Sequence, residues 1–182
     1  MVPQIGMVGG KWTTYRAFSE ATADMALADL GLPRKISTRD LPIGGGAGFS
    51  TESAAGLAQA HDLTSARAAH LADLHGTRAA EVAAFCASVD DRPLPGSEMT
   101  EAEVLWAVRR EMSLHLADVL QRRSPLAIRG LLTLPLVTAT ARVMATELGW
   151  SEARTTDEVA HFLGELETYH GVRLTPSEGA QP

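Results

Sequence analysis

Between residues 52 and 171 apolar side chains recur at steps of three and four, and capping and stopping residues cut this pattern into separate segments. That spacing places one apolar stripe along each helix, and helices so striped must bury their stripes against one another. No second convincing strand-rich region stands out from which a sheet could be built, so packed helices are favoured over a β-sandwich. Composition agrees: only 5% of the residues are aromatic and alanine is abundant, which suits close-packed helices. With 45% hydrophobic residues in 182, the chain has material for a real core. The fold class read from the sequence is therefore mainly α, a multi-helix domain.

Taken in order, the pattern predicts a first helix over 13–30, with Tyr15, Phe18, Ala21, Met25 and Ala28 on one stripe and Gly31 and Pro33 ending it. Short alanine-rich helices follow over 52–61 and 64–75, the second with Leu71 and Leu74 and a stop at Gly76. Residues 77–88 carry Val82, Phe85 and Cys86 on one side, and Pro93, Pro95 and Gly96 mark a loop. Thr100-Glu101-Ala102-Glu103 is a capping box. It opens the longest pattern, where Leu105, Val108, Met112, Leu116 and Val119 predict one continuous helix up to Ser124-Pro125. Pro135 opens a helix with Val137, Ala141, Met144 and Leu148, closed by Gly149. Ser151 caps a last helix with Val159, Phe162, Leu166 and Tyr169 inward, stopped by Gly171.

The N-terminal stretch differs in kind. An apolar run, Ile5-Gly6-Met7-Val8, leads into Gly9-Gly10-Lys11-Trp12-Thr13-Thr14-Tyr15-Arg16, which reads as a strand–turn–helix junction with the strand at residues 3–8. A strand there has no partner within the chain, and a lone strand is not stable. Glycines let a backbone pass close to a bound group, and a threonine at position 13 or 14 caps the helix. The helix N-terminus with Lys11 beside it forms an anion site. The candidate binding residues are thus Gly9, Gly10, Lys11, Thr13 and Thr14. Alone they also admit a plainer reading, a tight turn whose lysine is solvated. A Walker loop does not fit, because its first glycine would fall on Ile5 and Trp12 follows the lysine where Ser or Thr is required. Gly44-Gly45-Gly46-Ala47-Gly48 is likewise no dinucleotide loop, since the third glycine of GxGxxG would fall on Phe49; it reads as a linker.

Chemistry-bearing residues elsewhere form no recognisable constellation. The net charge of −6 disfavours a nucleic-acid partner. The single cysteine, Cys86, excludes a disulfide framework and reads as a small buried hydrophobe. His61, His70, His75, His115, His161 and His170 include no i, i+4 pair, so no metal site is expected and the histidines read as surface or partly buried polar residues. No catalytic grouping of Ser, His and Asp or of facing carboxylates emerges from local spacing, so no catalytic residue is assigned. Glu101, Glu103, Arg109, Arg110, Glu111, Asp118, Arg122 and Arg123 read mostly as a solvated face, with Arg122 and Arg123 the best candidates for a function. Asp118 and Arg122 are spaced for an i, i+4 pair. No apolar run approaches the roughly 18 residues of a membrane span.

Several of these motifs, in this order, resemble one family. GGKWTTYR followed by Ala17-Phe18-Ser19-Glu20 is similar to the GGK-x-TTYR segment at the end of the flavin domain of FAD-dependent glycerol-3-phosphate dehydrogenases and α-glycerophosphate oxidases. Ser37-Thr38-Arg39-Asp40-Leu41-Pro42-Ile43-Gly44 resembles that family's passage into its C-terminal helical domain. Ala102-Glu103-Val104, Val108-Arg109-Arg110-Glu111-Met112, Ala117-Asp118-Val119-Leu120 with Arg122-Arg123, and Leu148-Gly149-Trp150-Ser151 resemble its later helices, although Trp12 stands where leucine is common. The resemblance implies four parts: the last strand and helix of an FAD-binding domain at 1–35, a linker at 36–50, an α-helical C-terminal domain at 51–171 and a flexible tail at 172–182. It implies oxidation of sn-glycerol 3-phosphate to dihydroxyacetone phosphate in the parent, with electrons passing through FAD to a quinone or oxygen. Lys11, Thr13 and Thr14 would lie near the flavin ring, and the substrate residues would lie in missing N-terminal FAD and substrate domains. This chain alone would then carry no flavin and no activity. A cytoplasmic place is expected, with peripheral contact at the inner face of the cell membrane left open. Self-association through residues 3–30 is expected where the uncovered strand and stripe find a second copy. The alternatives are a stand-alone helical interaction module and a small phosphate-binding protein built on the Lys11 turn.

Overall fold

Helix boundaries follow the caps. In the computed structural model, which describes residues 3–9, 11–50 and 53–175, seven α-helices run in order: α1 Tyr15–Asp29, α2 Ser53–His61, α3 Ser65–His75, α4 Ala79–Ala87, α5 Glu101–Glu111, α6 Leu134–Leu148 and α7 Glu152–His170. The Thr64 hydroxyl accepts the Arg67 N–H, that of Thr133 accepts the Leu136 N–H, and that of Ser151 accepts the Arg154 N–H. Each occupies one of the orphan donors of a first turn. In the Thr100 capping box the Glu103 carboxylate accepts the Thr100 N–H at 2.9 Å. At the other ends Gly149 and Gly171 take the left-handed conformation that a glycine supplies without a Cβ penalty.

The chain divides into two units, residues 1–47 and 48–182. In the first, α1 follows a short 3-10 turn at Trp12–Thr14. No residue of α1 is buried: Tyr15, Phe18 and Met25, the predicted stripe, all stay exposed. Residues 3–9 form no strand, and among the described residues the one β-bridge is the isolated pair Pro93–Thr100. The physical reason is the missing partner, since a strand's backbone groups need a neighbouring edge.

The second unit has two apolar cores that share α5. One gathers Leu57, Ala68, Leu71, Val82, Ala83 and Cys86 of α2–α4 around Ala102 and Trp106. Alanines at these contacts let the helices approach closely. Phe85 meets Trp106 edge to face at 5.5 Å between centroids. The other packs Val104, Ala107 and Val108 of α5 against Leu116 and Leu120, against Leu136, Val137, Ala141 and Met144 of α6, and against Phe162 and Leu166 of α7.

Two expectations for this unit are corrected. The helix expected from Thr100 to Ser124 ends at Glu111, because Met112 turns left-handed with φ 55° and Ser113 N–H bonds back to the Ala107 carbonyl. Helical structure resumes only at Leu116, with a π-helical turn over Asp118–Arg122. The Asp118 carboxylate accepts the N–H groups of Leu114 and His115 at 2.9 Å each, which caps the new start. Met112 is consequently 81% exposed rather than on a stripe. Tyr169, expected inward, is also exposed, one residue before the end of α7. Expectations for Thr51, Glu52 and the tail beyond Thr175 lie outside the described residues.

Candidate functional site

The Gly9–Thr14 turn lies on the surface. Lys11, Trp12, Thr13 and Thr14 are all exposed, and Trp12 reaches 90%. Gly10 lies outside the described residues. At Gly9 the expected close approach is intramolecular, since a Cβ there would meet the Phe18 ring at 3.3 Å. Thr14 stands at the N-cap of α1, yet its side chain caps nothing: hydroxyl and N–H both donate to the Lys11 carbonyl, at 3.1 and 3.3 Å. The 3-10 turn runs straight into α1, where the Tyr15 N–H donates to the Trp12 carbonyl, so the start of α1 is continued by backbone and not capped by a threonine side chain.

What orders this unit is a carboxylate one turn into α1. Glu20 accepts from the Ser37 hydroxyl at 2.7 Å, the Thr38 N–H at 3.0 Å and Arg16 at 3.1 Å, and pairs with Arg34 at 2.6 Å. These bonds, that of Ser37 foremost, hold its pKa at about 2. Arg16 also donates to the Thr38 hydroxyl, and Arg34 reaches Asp24. Segment 34–38 is thereby tied along α1, and Arg16 of the TTYR run is spent on that tie.

In the second unit two glutamates are buried that sequence reasoning placed on solvated faces or left aside. Glu103, 3% exposed, takes Arg67 at 2.5 Å and His70 Nε2 at 2.8 Å besides its capping bond. Burial works against its charge, but the His70 hydrogen bond and the Arg67 guanidinium outweigh it and hold the pKa below the usual range. Arg67 further donates to the Thr100 hydroxyl and to the Glu98 carbonyl, so one arginine of α3 is clamped to the start of α5. Glu158 of α7, equally buried, accepts the Leu116 N–H at 3.0 Å, faces His115 Nδ1 at 3.1 Å and takes Arg154 at 2.7 Å. The missed signal was positional: Glu103 stands one turn before Trp106 and Ala107, and Glu158 one turn before Phe162, all on core-facing stripes. A charge there must be paired.

The remaining expectations sort plainly. Cys86 is buried, and desolvation pushes its thiol up to about 11, so it stays an unreactive thiol. Asp118 and Arg122 do pair, at 2.6 Å. His61, His161 and His170 join no cluster, and among the described residues no group of three or more His, Cys, Asp or Glu is placed to hold a metal ion. No helix among them is long and apolar enough to cross a membrane.

The fold is one that known proteins share. A solved glycerol-3-phosphate dehydrogenase from Bacillus halodurans, complexed with FAD, has the same fold with a TM-score of 0.68; at 22% identity the alignment covers 95% of this chain and 36% of that one. Among curated relatives, the probable mitochondrial glycerol-3-phosphate dehydrogenase of Dictyostelium discoideum is 31% identical over 172 residues, 90% of this chain and 26% of that protein. The mouse mitochondrial enzyme is 34% identical over 85% of this chain and 22% of its own length, and glycerol-3-phosphate dehydrogenase 2 of Mycobacterium tuberculosis 31% over 91% and 30%. The chain thus spans about a quarter of the length of the curated relatives it matches. A family model, the C-terminal domain of alpha-glycerophosphate oxidase, matches residues 36–155. The chain belongs to that family.

Proposed function

We propose that this chain is the C-terminal part of an FAD-dependent glycerol-3-phosphate dehydrogenase, an oxidoreductase that converts sn-glycerol 3-phosphate to dihydroxyacetone phosphate and passes the electrons to a quinone. The observation that carries this reading is the family match over residues 36–155 together with relatives of that name aligned along 85–91% of the chain. Within it, the domain division at 1–35, 36–50, 51–171 and 172–182 stands. Gly9, Gly10, Lys11, Thr13 and Thr14 form one edge of the flavin site. An exposed lysine ahead of the turn that leads into α1 supplies the positive potential that favours a reduced, anionic ring.

By themselves these residues do not fit a flavin. All the described ones are exposed, and a cofactor of that size is held by a concavity that buries most of its surface. The other walls belong to the preceding portion of the parent, so the 182 residues alone are inactive. The same reading keeps the protein in the cytoplasm, with peripheral contact at the inner membrane face where a quinone is met. It also makes the stripe of α1 a covered surface in the parent. Exposed Tyr15, Phe18 and Met25 then drive self-association of the isolated chain through residues 3–30, which light scattering detects and Phe18→Glu suppresses.

The test is a replacement. In the Mycobacterium tuberculosis relative the matching C-terminal part is exchanged for these 182 residues, and dye reduction by sn-glycerol 3-phosphate is measured. The chimaera is expected to be yellow and active, the exchanged piece alone colourless and inactive, and Lys11→Ala in the chimaera slower. A folded chimaera without flavin, or flavin on the isolated chain, overturns the reading.

A further inference from the structure

Where α5 ends and the chain doubles back, a cleft of about 450 Å3 opens between the end of α3 and the Asp118–Arg122 turn, lined by Leu74, His75, Glu111, Arg122 and Arg123. Both arginines are oriented by acidic partners. Arg122 Nη1 bonds Asp118 at 2.6 Å; Arg123 Nε meets Glu111 at 3.2 Å and its Nη2 donates to the Glu111 carbonyl at 3.3 Å. The Glu111 carboxylate is engaged from the other side by the Trp106 indole N–H at 3.2 Å. A guanidinium has five N–H donors, so each arginine keeps several unspent after these bonds. Asp118 is not part of the lining, but it offsets the charge of Arg122 as Glu111 offsets that of Arg123, so what the wall offers an anion is unspent N–H donors and not a net positive charge.

We infer that this cleft is a binding site for a small doubly charged oxyanion, inorganic phosphate or a phosphate monoester. Two oriented guanidinium forks match the tetrahedral oxygens of such a group and hold it bidentately. His75 supplies the third donor and a proton-linked signature. Burial keeps its pKa below the ordinary value, Glu103 and Glu111 pull the other way, and His70 of α3 and Arg78 of the following 3-10 turn oppose protonation. Arg122 and Arg123 face it across the cleft from the remaining side. An added dianion supplies two negative charges beside the imidazole and favours its charged form, so binding takes up a proton. This site owes nothing to the flavin reading and stands whether or not that reading does.

The probe is sulfate, whose charge is constant across the working range. It is titrated into the full 182-residue chain at about pH 6 and about pH 7.5, where an imidazole titrates, with sodium chloride holding ionic strength fixed. Ring C–H resonances of His75, assigned with His75→Gln, report occupancy. A saturable shift that tightens several-fold at the lower pH is expected, and inorganic phosphate and sn-glycerol 3-phosphate should each compete for it. Arg122→Gln with Arg123→Gln should abolish saturation, whereas Arg122→Lys with Arg123→Lys should weaken it. His75→Gln, followed through the arginine Nε–H signals, should bind without the pH dependence. A shift that grows linearly with salt, or that survives the paired glutamine changes, overturns the proposal. Should the glutamine pair fail to fold by circular dichroism, Arg122→Gln alone decides, since its side chain is 61% exposed.

Discussion

In α1 not one of 15 residues is buried, and segment 34–38 is fastened to it through the Glu20 carboxylate; in α5, six of 11 residues are buried and serve two cores at once. Both helices were equally legible as amphipathic patterns. The difference between them is the presence of something to pack against. Polar ties such as those of Glu20 fix a geometry at an accessible site but are screened by solvent and supply little stability. The apolar burial around α5 removes surface from water and supplies most of what holds a domain together. The second unit encloses its own cores, and α1 of the first buries none of its residues.

The largest effect that sharpens this contrast comes from the same substitution made in each unit. Phe162→Ala empties a fully buried site and should cost about 3–5 kcal/mol in denaturant unfolding. Phe18→Ala should stay within about 0.5 kcal/mol, because its ring is already in contact with water. A comparable loss from both would erase the distinction.

Next in size is the buried carboxylate clamp. Glu103→Gln takes from the Arg67 guanidinium its nearer charge partner, leaving only Asp91 at 3.8 Å, and should cost about 3 kcal/mol, whereas the exposed pair of Arg109 with Glu147 should yield below about 1 kcal/mol on Arg109→Ala. Chemical denaturation of each variant decides.

Acid should separate the contributions further. His75 has a native pKa below its ordinary 6.5, so the unfolded chain takes up the proton first and stability declines as pH falls below that value. Glu103 has a native pKa below its ordinary 4.5; its contribution is complete above that value and is lost as pH falls through the lowered one. Melting temperatures followed downward from neutrality should show both limbs. His75→Gln should remove the upper and Glu103→Gln the lower. Unchanged profiles would mean the two groups titrate alike folded and unfolded.

How much of this was readable beforehand follows from locality. The cap at Ser151, the capping box at Thr100 and the stops at Gly149 and Gly171 are local chemistry, and the helices begin and end there. The break at Met112 was not readable, because apolar steps of three and four run through it. What ends the helix is the backbone turn at Met112, and a new start is fixed by Asp118 and by Glu158, which lies 42 residues beyond Leu116 in sequence. The same non-locality hid the pairing of Glu103 with α3. At the Lys11 turn the use of Thr14 was not legible, since its hydroxyl turns back to the Lys11 carbonyl instead of capping α1.

The smallest effect expected is from removal of residues 1–47. The remaining chain should keep its cooperative melt and its helical circular dichroism per residue, with a midpoint shifted by no more than a few degrees. A melt without a transition would place part of the second unit's stability in the first.

Amide hydrogen exchange on the intact chain tests the central claim most directly, because it reads both units in one sample. Amides of α5, α6 and α7 should exchange only through global unfolding, while those of α1 should exchange by local opening, orders of magnitude faster and insensitive to Phe162→Ala. Protection of α1 equal to that of α5, and falling with it in the Phe162→Ala variant, would contradict the account.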